Sequence, residues 1–165
     1  MFRPLVVLVF LFPLACGPSN RQDLDLSDYV VDQPLDGVGH YVYALNLPER
    51  VRPGEAFEVQ MEWRTVGSVD PNARYTMEMI LTGPATKTYA IPSGANTVGE
   101  LHLANWLSYP LRVPEDFTPG TYDFGVRLRD ELGDRGSVPL GYREERAMGD
   151  GYYRLARVTV AGASE

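Results

Sequence analysis

The stretch Ala56–Thr65 sets the terms for the whole chain. Phe57, Val59, Met61 and Trp63 alternate with Glu58, Gln60, Glu62 and Arg64, one apolar residue for each polar one. A period of two places the four apolar side chains on one face of a β-strand, and a helix cannot segregate them. The pattern recurs. Val38–Leu47 aligns Tyr41, Tyr43, Leu45 and Leu47; Arg74–Thr82 aligns Tyr75, Met77, Met79 and Leu81; Thr121–Arg129 aligns Tyr122, Phe124, Val126 and Leu128. Thr86–Ile91, Thr97–Leu103, Val138–Tyr142 and Tyr152–Val160 read as shorter or less regular strands. In the last of them Tyr153 and Leu155 are out of phase with Val158 and Val160, which predicts a bulge near Arg157. No window longer than about ten residues keeps a helical period without a Gly or Pro, and Glu144–Met148 has room for one helical turn. Seven or eight strands at this spacing predict an all-β, antiparallel sandwich over residues 38–161, with a short tail at 162–165.

A chain of 165 residues suits one domain of ordinary size. Its 22 acidic residues outweigh 15 basic ones, for a net charge of −7. That balance argues against nucleic acid as a partner, because binding phosphates requires a basic face that displaces counterions. One cysteine excludes a disulfide framework, and two histidines exclude most zinc sites.

The one cysteine stands in a telling place. Arg3 precedes the ten-residue apolar run Leu5–Leu14, which as a helix would rise only about 15 Å, too short to span a bilayer. The run has the form of a signal-peptide core and ends in Pro13-Leu14-Ala15-Cys16. This segment resembles the lipobox of bacterial lipoproteins, with Pro13 where leucine is usual. The resemblance implies removal of residues 1–15, acylation of Cys16 and attachment to a membrane by lipid, with no other cofactor. Gly17 stands where aspartate would signal retention at the inner membrane, so the resemblance also implies the outer membrane. Two or three acyl chains would hold the chain firmly, whereas one alone is marginal.

Residues 16–37 then carry Asp23, Asp25, Asp28, Asp32 and Asp36 against Arg21 alone. Self-repulsion and little apolar content predict an extended tether, with an r.m.s. span of roughly 25 Å for about 20 residues. Two other readings of the stretch are an edge strand at Asp28–Val31 and a calcium site; the latter lacks the fixed ligand spacing and glycine turn that such loops use.

Two further strands open on Pro-Gly, at Pro53-Gly54 and Pro119-Gly120, a pair suited to the centre of a type II turn. Tyr122 follows the second, in the position of the tyrosine corner of immunoglobulin-type sandwiches, and Trp63 is placed to be their core tryptophan. The body therefore resembles fibronectin-III-like and bacterial Ig-like modules, and the segments Pro119–Leu128, Arg135–Leu140 and Asp150–Val160, about a quarter of the chain, are similar to the ends of accessory sandwiches of bacterial extracellular sugar-processing proteins.

Nothing in the sequence assembles a catalytic centre. Ser68, Ser93, Ser108 and Ser137 lack a nucleophile elbow, His40 and His102 read as ordinary strand-associated histidines, and no phosphate-binding loop or H-E-x-x-H motif occurs. The expectation is a non-enzymatic module. The acidic loop Asp130–Gly136 offers Asp130 and Asp134 as weak calcium ligands, with Arg135 opposing them; a solvated hairpin loop is the simpler account. The ten tyrosines and two tryptophans carry more interest. Trp106 and Tyr109 read as lying in or near a loop before a strand, and Tyr142 and Tyr152 flank another, so these four are the candidate contacts for a partner protein of the cell envelope or for a polysaccharide. The competing account is that most of them fill the core. A row of exposed aromatics would favour sugar; a bare sheet edge or an apolar patch would favour protein.

Overall fold

Residues that alternate in the sequence alternate in space. The computed structural model describes residues 20–31, 38–67, 75–91, 105–130 and 136–162. Among them are eleven strands: β1 (Arg21–Asp25), β2 (Val38–Pro48), β3 (Arg50–Val51), β4 (Ala56–Gly67), β5 (Tyr75–Thr82), β6 (Thr86–Ile91), β7 (Asn105–Arg112), β8 (Gly120–Asp130), β9 (Ser137–Val138), β10 (Ala147–Gly149) and β11 (Tyr152–Val160). One sheet has the order β1-β2-β4-β7; the other runs β10-β11-β8-β5-β6, with β3 added to β11 and β9 to β8. Every pairing is antiparallel except β3 on β11.

The fold is the β-sandwich that the alternation predicts. β2, β4 and β7 hold the places of strands A, B and E of an Ig-type sandwich, and β6, β5, β8 and β11 those of C′, C, F and G. After Pro48 the first long strand changes sheets, and β3 continues beside β11, with Arg50 opposite Thr159 and Val51 opposite Val160.

The core lies between the sheets. Val59, Met61 and Trp63 of β4 and Tyr122, Phe124, Val126 and Leu128 of β8 are completely buried, and Met77, Met79 and Leu81 of β5 join them. Full burial of each such side chain is worth roughly 1.5–3 kcal/mol. The tyrosine corner forms as expected: the Tyr122 hydroxyl donates to the Thr118 carbonyl at 2.6 Å, and its ring stacks on Phe117 with centroids 4.8 Å apart. Pro53-Gly54 makes its turn, with Gly54 at φ 77° and the Glu55 N–H bonded to the Arg52 carbonyl at 3.0 Å. Pro119-Gly120 differs, because Gly120 has φ 152° and already begins β8.

Four expectations need correction. The tether expected over 16–37 is built into the domain from Asn20 to Val31: β1 pairs with β2 along its whole length, and Leu26 is buried in the core. Ser27–Tyr29 is a 3-10 turn, and Val30 bridges Tyr142, so the edge strand here is Arg21–Asp25 and not Asp28–Val31. Trp106 and Tyr109, expected in or near a loop before a strand, lie within β7, Asn105–Arg112. Val138–Tyr142 keeps only Ser137–Val138 as a strand, followed by an isolated bridge from Leu140 to His40. The bulge expected near Arg157 is present, between Arg154 and Ala156 of β11, and it lets both Leu155 and Ala156 turn inward. The signal segment 1–15, Cys16, Ser68, Ser93, the strand expected at Thr97–Leu103, His102 and Asp134 all lie outside the described residues.

The tyrosine corner is separable from packing. Tyr122→Phe keeps the ring and the Phe117 stack and removes one hydrogen bond, so it should lower stability by about 1 kcal/mol. Urea unfolding checks this: the midpoint should fall while the slope stays constant.

Candidate docking surface

The four candidate contact residues separate sharply. Trp106 is 53% exposed, whereas Tyr109 is 3% and Tyr142 and Tyr152 are 6% exposed. The phase of β7 decides the first two. Trp106, Ser108, Pro110 and Arg112 face solvent, and Tyr109 and Leu111 face the core. Tyr142 is a structural clasp: its hydroxyl donates to the Val42 carbonyl and accepts from the Val42 N–H at 2.8 Å. The Tyr152 hydroxyl lies 3.1 Å from Glu78, and the Arg127 guanidinium sits 4.4 Å over its ring. These three tyrosines are therefore buried, and Trp106 alone of the four stands out on the surface. Asp130 closes β8 opposite Tyr75, its N–H bonded to the Gly136 carbonyl at 3.1 Å.

Trp106 stands on a polar sheet face. It lies opposite Glu62, and Ser108 lies opposite Gln60. Arg64 pairs with Glu62 at 2.6 Å and stacks 3.4 Å above the Tyr43 ring, and the hydrogen bonds it donates to Glu62 hold its guanidinium firmly charged. Across the same sheet Arg21, Asn46 and Asp23 form a hydrogen-bonded chain. Val66, at the far end of β4, is the other large hydrophobic residue exposed among the described residues.

A second feature was not anticipated. Among the described residues β7 ends one sheet and β6 ends the other, and the two lie on the same side of the sandwich. Between them is a groove of about 490 Å³ lined by Lys87, Tyr89, Ile91, Tyr109, Pro110 and Leu111, among others. The Tyr89 hydroxyl reaches across it to the Arg112 carbonyl at 2.9 Å, and burial pushes that phenol up to about 12. A sheet-end strand carries backbone N–H and C=O groups that a further strand can pair with, and apolar pockets beside it take alternate side chains. Pro110 contributes no N–H to β7. The inward phase of Tyr109 and Leu111 was a sequence signal for this wall, obscured by the tryptophan and proline between which it sits.

The opposite side of the sandwich is different in kind. A cleft of about 470 Å³ between β1 and β11 is lined by Arg146, Arg154 and Arg157 with Asp25 and Glu145. Its cations are already engaged. Arg146 lies 3.4 Å over Tyr29 and donates to the Arg154 carbonyl, while Arg154 and Arg157 reach Asp123 at 3.8 and 3.2 Å. Among the described residues no three His, Cys, Asp or Glu side chains group as metal ligands do.

No protein-family model matches the chain, and no curated protein is significantly similar to it.

The buried phenols predict an alkaline limit. Burial raises the Tyr142 hydroxyl far above its ordinary value of 10.0, and it also raises Tyr89 and Tyr152. The folded chain then keeps protons that the unfolded chain releases above pH 10, so stability is complete below pH 10 and falls as pH rises beyond it. Tyr142 alone should contribute a slope of about 1.4 kcal/mol per pH unit there. Urea midpoints measured from pH 8 to 11 should show a shallower alkaline decline in Tyr142→Phe than in the parent.

Proposed function

We propose that this chain is a non-enzymatic interaction module, anchored to the outer membrane through acylated Cys16, that docks an extended segment of a partner protein in a cell-envelope assembly. The observation that carries this reading is the groove between the two sheet-end strands β6 and β7, which offers apolar pockets and backbone edges together. Such a site recognises a peptide in β conformation with apolar residues at alternate positions. The arrangement requires no chemistry from the domain.

A photo-reactive phenylalanine analogue at Ser108, with a second at Arg129 on the other sheet, tests the reading in intact cells. Cross-links to one envelope protein from position 108 and not from 129, abolished by competition with a synthetic peptide from that protein, are the expected outcome. Cross-linking to this chain's own segment 92–104, or equal capture at both positions, overturns it.

A second reading follows from Trp106. An exposed indole beside Glu62, Gln60 and Ser108 can stack on a sugar ring while neighbours bond its hydroxyls, and this makes the module a carbohydrate binder for cell-wall or extracellular polysaccharide. Trp106→Ala should then retard less on polysaccharide affinity gels, with its unfolding midpoint unchanged; equal retention excludes the sugar reading.

A further inference from the structure

The N-terminal segment is not a leash but a clip. Asn20 donates from Nδ2 to the Arg50 carbonyl at 2.7 Å and accepts from the Arg50 N–H, while its own carbonyl accepts the Glu49 N–H at 3.1 Å. β1 follows at once, in register with β2 from Arg21 opposite Pro48 to Asp25 opposite Ala44. Arg21 reaches over β2 to the Glu58 carbonyl at 3.2 Å, and Gln22 crosses to the other sheet and bonds the Arg157 carbonyl at 2.8 Å. Leu26 is buried, and beyond it the Val31 N–H bonds the Gly141 carbonyl at 2.9 Å. Nothing in this run can swing freely without breaking a sheet.

Covalent reach then decides the geometry. From Cys16 to Asn20 is four residues, which span at most about 14 Å when fully extended. A free tether to residue 37 would instead allow the excursions of a flexible chain of about 20 residues. The attachment point is one end of the sandwich, where β2 turns into β3 and Glu49, Arg50 and Arg52 are exposed. The opposite end is remote: Val66 lies eight residues along β4 from Glu58, the residue that Arg21 reaches, or roughly 26 Å.

We propose that β1 clips the domain to its lipid anchor so that the corner Glu49–Arg52 rests against the phospholipid headgroups and the Val66 end points away. This rests on the reading of Cys16 as the acylated residue and goes beyond it by fixing which end of the sandwich meets the membrane. The occupant of that end is the headgroup layer. Arg50 and Arg52 present cations to its phosphates, interspersed with Glu49 and Glu55, so contact is imposed by the short connection and not by a basic patch.

The mature acylated protein offers a clean test, because acylation consumes its one cysteine. Glu49→Cys and Val66→Cys, each labelled with a donor dye, are reconstituted in phosphatidylethanolamine–phosphatidylglycerol vesicles that carry an acceptor on a headgroup. Energy transfer should be several-fold stronger from position 49 than from 66. A ten-residue Gly-Ser insertion between Ser19 and Asn20 should bring the two values together and leave the unfolding midpoint unchanged. Protein that floats with vesicles but transfers equally from both positions overturns this inference and leaves the anchored reading standing. Protein that does not float, and takes up no labelled palmitate in cells, overturns both.

Discussion

Everything in this molecule hangs on two rows of side chains facing one another, Phe57-Val59-Met61-Trp63 on β4 and Tyr122-Phe124-Val126-Leu128 on β8. Each row belongs to an interior strand of its sheet, so each strand is paired on both sides while its inner face is sealed. Register is strongly fixed under those conditions, because a slip of one residue would carry every apolar group to solvent and every charge inward. On the outer face β8 meets the same constraint. A Cβ on Gly125 would come within 2.7 Å of the Met148 sulfur and 3.0 Å of the Tyr153 carbonyl, so glycine leaves room for the Met148 side chain against β8 and for the close pairing of β11.

With the centre fixed, the two sides of the sandwich are free to differ, and they do. The side beside β1 is closed by bonds that join distant parts of the chain: Tyr142 to Val42, Val30 to Tyr142, Arg143 to Tyr29, and the Arg146 guanidinium over the Tyr29 ring. The side beside β6 and β7 is joined, among the described residues, by little more than the Tyr89 hydroxyl reaching the Arg112 carbonyl. A strand-docking surface needs backbone edges and apolar pockets side by side, and among the described residues the second side has both at the ends of β6 and β7.

The sandwich was legible in the sequence because alternation reports burial directly. β4, β6, β8 and β11 run where the period of two places them, and the roles of Tyr122 and Trp63 followed from their positions on those strands. β1 was obscured by its charges. Arg21, Asp23 and Asp25 read as a solvated tether, yet they are the outward half of an alternating strand whose inward half is Leu24 and Leu26. Two leucines are too few to declare a strand on their own, and the pairing with β2 that stabilises it is a long-range fact. The burial of three of the four candidate contacts was hidden for a related reason. Aromatic content is visible in a sequence, but whether Tyr109 or Trp106 faces solvent depends on the phase of β7, and Pro110 made that segment look like a loop. The groove between β6 and β7 belongs to no single segment, so no local pattern could have announced it.

The proposed clip and the proposed docking groove, taken together, would constrain the kind of partner the domain could serve. Arg21 reaches the Glu58 carbonyl, and Glu58 pairs with Pro110 in the wall of the groove. The groove thus begins at the level of β1, and Trp106 lies four residues further along β7, roughly 13 Å from Pro110. Under the proposed anchoring through Cys16, the low end of the groove would lie near the headgroups and Trp106 above it. A partner segment entering as an added strand must run along β7, and so roughly upright from the membrane surface. A long flexible tether would admit partners from any direction; a clipped domain selects those whose binding segment is itself held close to the same bilayer.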